Sequence, residues 1–363
     1  MNKGIERWVR EDIRALSAYH VADASGMIKL DAMENPYHWP DSLKQEWLKE
    51  LADSELNRYP DPEGRDVKNG LRACFNIDEL QSIMLGNGSD ELIQCIAMAL
   101  AAPGRKVLAP EPSFVMYKMI ATFVGMDYIG VPLDKNFQLD MPAMLAAIDQ
   151  HQPAVIFLAQ PNNPTGTRYP ESDLRSILNK AEGLVVIDEA YIAFTDADAL
   201  PLLEEFDNLV VMRTLSKAGL AGLRLGFLVG SPAWIEEFNK VRLPYNINIL
   251  TQVSVSFALR NYEVLQRQTD AIKKDRNMLT QRLESIGLDA IWPSQANFIL
   301  VRTPKDTAKT IFDDMKNHGV LVKCLHGAHP MLKDCLRLTI GTPKENEVMF
   351  LALQQALQAV LRR

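Results

Sequence analysis

Between residues 82 and 230, seven short apolar runs alternate with helical patterns, and this alternation constrains the fold more than any other feature of the chain. The runs cover 82–85, 106–109, 127–131, 154–159, 184–187, 209–212 and 225–229. One intervening stretch, 89–101, repeats Leu92, Ile93, Ile96, Ala97 and Leu100 on a single helical face, with Ser89 or Asp90 as its N-cap. Strand and helix in alternation predict an α/β fold whose seven-stranded, mostly parallel sheet is flanked by helices on both faces.

After Pro244 the pattern changes. A helix is expected over 262–286, stopped by Gly287. Strands over 297–301, 320–323 and 336–340, and helices over 307–318 and from 344 to the end, then read as a smaller α+β domain. The first 45 residues carry too little apolar pattern to fold alone and are expected to pack on that domain. The expected division is a large domain over 46–245 and a small one made of 1–45 and 246–363.

Bulk properties exclude several classes of function. A net charge of −7 argues against a general nucleic-acid binder, which needs a basic face. No apolar run approaches the ~20 residues that span a bilayer, and the charged stretch from Met1 to Arg14 lacks the apolar centre of a signal peptide. Cys74, Cys95, Cys324 and Cys335 form no C-x-x-C pair, so reduced thiols in a cytoplasmic protein are expected. His326-Gly327-Ala328-His329 reads as a loop without further ligands at metal spacing, and Met116, Met119 and Met126 read as core filler.

The chemistry-bearing residues stand at the ends of the strand-like runs. Lys217 lies in a loop of Ser, Ala and Gly, 29 residues after Asp188 and seven before Arg224. An amine that condenses with an aldehyde must attack unprotonated, which a shielded or electropositive setting favours; alone, such a lysine reads as a solvated surface group. Asp188 follows four apolar residues, at the strand end where open α/β sheets bind ligands. A buried carboxylate there needs a cationic partner. A protonated pyridine nitrogen would supply one; a helix N-cap or a structural salt bridge are the other readings. Gly86-Asn87-Gly88-Ser89-Asp90-Glu91 joins a strand to a helix start that suits a phosphate, or forms an ordinary turn. Ser216 and Arg224 would complete the phosphate cup. Asn163, in the turn Asn162-Asn163-Pro164-Thr165-Gly166, and Tyr191 would bond a ring phenolate, and Phe114 would stack on a ring face or belong to the core. In this order and spacing the set makes a pyridoxal 5'-phosphate site.

These segments, from Leu30-Asp31-Ala32-Met33-Glu34-Asn35-Pro36-Tyr37 to Cys335-Leu336-Arg337-Leu338-Thr339-Ile340-Gly341, resemble the fold-type I pyridoxal phosphate enzymes of the aspartate aminotransferase superfamily, class I/II. Within it, Asn57-Arg58-Tyr59-Pro60-Asp61-Pro62 and the length near 360 residues resemble the histidinol-phosphate aminotransferase family. The resemblance implies that Lys217 is the Schiff-base lysine and proton shuttle, that Asp188 pairs with the pyridine nitrogen, and that Asn163 and Tyr191 contact the phenolate oxygen. It places Ser89, Asp90, Glu91, Ser216 and Arg224 about the cofactor phosphate, with Tyr59 reaching it from the other subunit of a homodimer. Phe114 takes the stacking position, where many members have tyrosine. Arg337 grips the substrate anion, Tyr37 lines the same pocket, and Lys323 stands where some members place a second arginine.

The reaction implied is a ping-pong transamination between L-histidinol phosphate plus 2-oxoglutarate and imidazole acetol phosphate plus L-glutamate, in histidine biosynthesis. Other readings of the same scaffold are an aromatic or other amino-acid aminotransferase, a decarboxylase acting on threonine phosphate, and a regulatory protein that keeps the fold as an effector sensor. The last is disfavoured by the acidic charge and by the short stretch before the first superfamily segment.

Overall fold

The computed structural model describes residues 3–18, 21–196 and 198–362. All seven expected strands lie in one sheet, in the order Ser82–Asn87, Leu225–Gly230, Leu209–Thr214, Leu184–Asp188, Val155–Ala159, Lys106–Glu111, Asp127–Pro132. Leu225–Gly230 runs antiparallel to both neighbours and the other six point one way. The two-residue period of a strand distributes its apolar side chains to opposite faces. Val185, Ile187 and Val211 join one buried cluster, and Leu184, Val186, Val210 and Met212 join the other. Burial on both faces explains why these strands read as unbroken apolar runs.

Four further strands form a second, antiparallel sheet. Phe298–Arg302 and Cys335–Thr339 are its centre, flanked by Ala290–Ile291 and Lys323–Cys324. Helices Ala308–Asn317 and Pro343–Leu361 supply Ile311, Met315 and Leu353 to its core. A capping box between Thr342 and Glu345 starts the last helix. The strand expected over 320–323 is two: Val320–Leu321 pairs in parallel with Ile28–Lys29, while Lys323–Cys324 pairs with Cys335–Thr339. Leu30 follows the first pair into the same core.

The long helix ends earlier than expected, at Leu283. Ser285 and Ile286 instead bond three residues back, to Arg282 and Leu283, and tighten the chain before Gly287 turns with a φ of 87°. The preceding helix, Ile249–Arg260, lies against Asp41–Ala52 and Arg65–Phe75 and gives Val255, Ala258 and Leu259 to the large sheet's core. Among the described residues no helix is long and apolar enough to cross a membrane.

Candidate active site

Parallel strands Leu184–Asp188 and Leu209–Thr214 end side by side, so their carboxyl-terminal residues share one edge of the sheet. Asp188 is 4 % exposed there. Its Oδ2 accepts from the Tyr117 hydroxyl at 2.6 Å and its Oδ1 from the Ala190 N–H at 3.0 Å. Burial nevertheless raises its pKa to about 6, because two neutral donors do not replace water around a full charge. A cation brought to this carboxylate would be held strongly.

Beyond Leu209–Thr214 the chain makes a tight turn, Ser216–Leu220, and a second, Ala221–Leu223. Thr214 Oγ1 accepts from the Ser216 N–H at 3.1 Å and lies 2.9 Å from both Ser216 Oγ and the Leu225 carbonyl, which knits the turn to its return strand. The other anchor comes from the amino-terminal segment. Asn35 donates to the Ala218 carbonyl at 2.8 Å, and a Cβ on Gly219 (φ 139°) would lie 3.0 Å from that same amide. Lys217, half-buried between these anchors, donates from Nζ to the Ala32 carbonyl at 3.1 Å. Burial first, then the positive field of Arg337, draws its pKa down to about 8.

Gly88 (φ 85°), not Ser89 or Asp90, precedes helix Ser89–Leu100, and no side chain caps that helix. The expected N-cap is corrected on this point. The first turn therefore keeps its N–H groups directed outward, as an anion requires. A Cβ on Gly226 would sit 2.9 Å from Ser89 N, so a bare neighbouring strand is what lets the turn approach. Arg224 adopts a left-handed conformation (φ 52°) that returns its guanidinium to 3.5 Å from the Asp90 carboxylate.

The outcome is one cavity lined by Ser89, Asp90, Ser216, Lys217 and Arg224 at one end. Phe114, Asn163, Asp188 and Tyr191 line the remainder. Phe114, for which a core position was the other reading, is only partly buried and faces this space. An open helix start with a serine and an arginine suits a phosphate dianion. A shielded amine suits an aldehyde, and a buried carboxylate suits a protonated ring nitrogen.

Arg337 lies at the junction with a second, outer cavity, which Lys323 also lines. It donates to Asn163 Oδ1 at 2.6 Å and to the Asp31 carbonyl at 2.7 Å. Three of the expected site residues lie elsewhere. Glu91 is turned from the cavity, its carboxylate accepting from Asn87 N–H at 2.6 Å and Asn246 Nδ2 at 2.7 Å, because the backbone bend before the helix needs that acceptor. Tyr37 lines neither cavity; burial first, then the nearby Asp275 charge, raises the pKa of its phenol. Tyr59 is 80 % exposed and stacks on Tyr245 at 4.4 Å.

Tyr117 escaped the sequence reading because it falls within an apolar helix, Met116–Val124, as one more aromatic. Only the fold shows that its hydroxyl ends on Asp188. Tyr117→Phe is expected to remove about 1–2 kcal/mol of carboxylate stabilisation and raise the Asp188 pKa above about 6. Infrared titration of the carboxyl checks this, and an unmoved pKa would contradict it. Asn162 was also overlooked as a brace: it bonds Pro112, Ser113 and Thr165, which holds the turn and leaves Asn163 to the cavity.

Behind the same strand ends, Arg213 meets Glu189 through Nε at 2.8 Å and Nη2 at 2.7 Å, both side chains buried. Arg213→Ala would strand the Glu189 charge and is expected to cost about 3–5 kcal/mol of folding stability in urea titration. A loss below about 1 kcal/mol would show that the pair carries no such weight.

Residues 25–353 match the family described as aminotransferase class I and II. The chain belongs to that family. It is 52 % identical over 355 residues to the histidinol-phosphate aminotransferase of Chromobacterium violaceum, covering 98 % of this chain and 99 % of that one. It is 51 % identical over 350 residues to histidinol-phosphate aminotransferase 2 of Nitrosococcus oceani, covering 96 % and 97 %. The crystal structure of histidinol-phosphate aminotransferase from Sinorhizobium meliloti in complex with pyridoxal-5'-phosphate superposes with a TM-score of 0.87 at 25 % identity, covering 97 % of this chain and 98 % of that one. The fold is therefore that of the fold-type I aminotransferases.

Proposed function

We propose that the protein is a pyridoxal 5'-phosphate-dependent transaminase that interconverts L-histidinol phosphate plus 2-oxoglutarate with imidazole acetol phosphate plus L-glutamate. The observation that carries this is a shielded amine, Lys217, sharing one cavity with the buried carboxylate Asp188 and an open helix start. About half of all positions are also identical to those of histidinol-phosphate aminotransferases along nearly the full chain.

When bound, pyridoxal phosphate supplies an electron-withdrawing ring that accepts the electron pair left as the substrate Cα–H bond breaks. Asp188 holds a proton on the ring nitrogen, and the Tyr117 and Ala190 bonds keep its own carboxylate ionised. Ser89, Asp90, Ser216 and Arg224 hold the phosphate end, while Asn163 and Tyr191 address the phenolate oxygen and Phe114 covers the ring. Lys217 Nζ takes the Cα proton as general base and returns it as general acid. With a pKa of about 8, roughly one in ten of its amines is neutral at pH 7, far more than for an ordinary lysine. Arg337 takes the α-carboxylate of glutamate in one half-reaction and the phosphate of histidinol phosphate in the other, with Lys323 beside it as a point charge.

The working form is inferred to be a cytoplasmic homodimer in which Tyr59 of the partner subunit reaches the phosphate. Support comes from the exposed apolar side chains Leu56, Tyr59, Leu243 and Leu250. The division into a large domain, 46–245, and a small one, 1–45 with 246–363, is likewise inferred, and the Ile28–Lys29 pairing with Val320–Leu321 supports its discontinuous part. Because one cofactor serves both half-reactions in turn, double-reciprocal plots at several glutamate concentrations are expected to be parallel. Intersecting lines would refute the alternation.

A further inference from the structure

The outer cavity shares Met33, Phe114 and Asn163 with the inner one. Its charges are uneven: among the described residues lining it, Lys118, Lys323 and Arg337 are cations, and Glu111 is the one carboxylate. Glu111 is built in place. It ends strand Lys106–Glu111, and a Cβ on the adjacent Gly130 would lie 2.3 Å from its carboxyl carbon, so the neighbouring strand is bare where the carboxylate passes. Tyr128 lies beside it, its phenol pKa raised first by burial and then by the Glu111 charge, and Lys118 Nζ lies 5.7 Å from the centre of the Tyr128 ring. From the other side, His329 Nε2 stands 3.9 Å from Glu111 Oε2, beyond hydrogen-bond reach. Met331 N–H donates to His329 Nδ1 at 3.2 Å, which leaves the ring proton on Nε2, the nitrogen nearer the carboxylate. A carboxylate accepts about four hydrogen bonds, so Glu111 retains acceptor capacity toward the cavity.

This geometry has a meaning for substrate choice that rests on the function proposed above. L-histidinol phosphate presents an anion at one end and a ring N–H at the other. The anion suits Arg337 and Lys323, and the strong acceptor left for the ring is Glu111. We propose that Glu111 is a specificity-determining residue that accepts the imidazole N–H of the substrate and contributes nothing to binding L-glutamate. A phenyl ring offers no such proton, so the same carboxylate is left without a bond by an aromatic substrate of similar size.

The test compares Glu111→Gln and Glu111→Ala with the unaltered holoenzyme in single-turnover half-reactions with L-histidinol phosphate, L-phenylalaninol phosphate and L-glutamate. Glu111→Ala is expected to lose about tenfold to a hundredfold in kcat/KM for L-histidinol phosphate. Glu111→Gln, nearly the same shape and still an acceptor, should lose less. The glutamate half-reaction should be unchanged in both, and the preference of the unaltered enzyme for the imidazole over the phenyl compound should collapse in Glu111→Ala. Equal losses with all three donors, or none with histidinol phosphate, would overturn the assignment while leaving the transaminase reading intact. Unaltered enzyme that reacts with glutamate but not with histidinol phosphate would overturn both.

Discussion

Lys217→Ala is expected to abolish measurable transamination, lowering kcat by at least about a thousandfold, while leaving the fold and substrate affinity largely in place. The side chain is half-buried and its bond to the Ala32 carbonyl is a weak anchor, so little stability is lost with it. What disappears is the group that carries the Cα proton. The other cations nearby, Arg224 and Arg337, carry guanidinium groups, which donate hydrogen bonds and do not serve as a base. A small amine added to the medium is expected to restore part of the rate by entering the space the side chain vacates. Single-turnover rates with and without such an amine check both statements, and a variant within tenfold of the parent would remove Lys217 from the chemistry. The pH dependence has a definite sign. The pKa of about 8 means that, in the protein without cofactor, the neutral amine grows as pH rises through that value. The rate of initial condensation with added pyridoxal phosphate should therefore climb from pH 7 to 9, then level.

The second large effect is at Asp188. Asp188→Asn keeps the shape and removes the charge that opposes a protonated ring nitrogen. Breaking a buried ion pair in this way costs about 3–5 kcal/mol, which corresponds to a fall of a hundredfold to several thousandfold in kcat. Acid should mimic the substitution. With a pKa of about 6 before the cofactor binds, Asp188 takes up a proton as pH falls through 6, and cofactor affinity should decline with it. Equilibrium dialysis of the cofactor across pH 5–8 measures this for parent and variant. An affinity that falls equally in Asp188→Asn would assign the pH effect to another group.

The legible part of this protein is the part written in local pattern. Seven runs named seven strands, most plainly the inner ones such as Leu184–Asp188 and Leu209–Thr214, which are buried on both faces and so read as unbroken apolar runs, while the edge strand Asp127–Pro132 is largely exposed. Lys217, Asp188, Asn163, Ser216 and Arg224 were legible because each lies at a strand end or in the turn beside one, where sequence order and spatial order agree. What was hidden depends on contacts between distant segments. Tyr117 reaches Asp188 across 71 residues, and Asn35 reaches Ala218 across 183, so neither bond leaves a local trace. Glu91 misled because its place beside Ser89 and Asp90 suggested the phosphate, whereas its carboxylate is taken by Asn87 and Asn246. The split of 320–323 was equally hidden, since the partner of its first half is Ile28–Lys29, almost 300 residues earlier.

The measurement that bears most directly on the whole account is a single-turnover absorbance experiment on the cofactor-loaded protein. L-histidinol phosphate, L-phenylalanine and L-threonine phosphate are each mixed with it in the absence of 2-oxoglutarate. The account predicts rapid loss of the visible absorption with L-histidinol phosphate, release of imidazole acetol phosphate in equal amount, and recovery of the colour when 2-oxoglutarate is added. Rapid reaction with L-phenylalanine alone, or release of carbon dioxide from L-threonine phosphate, would contradict it.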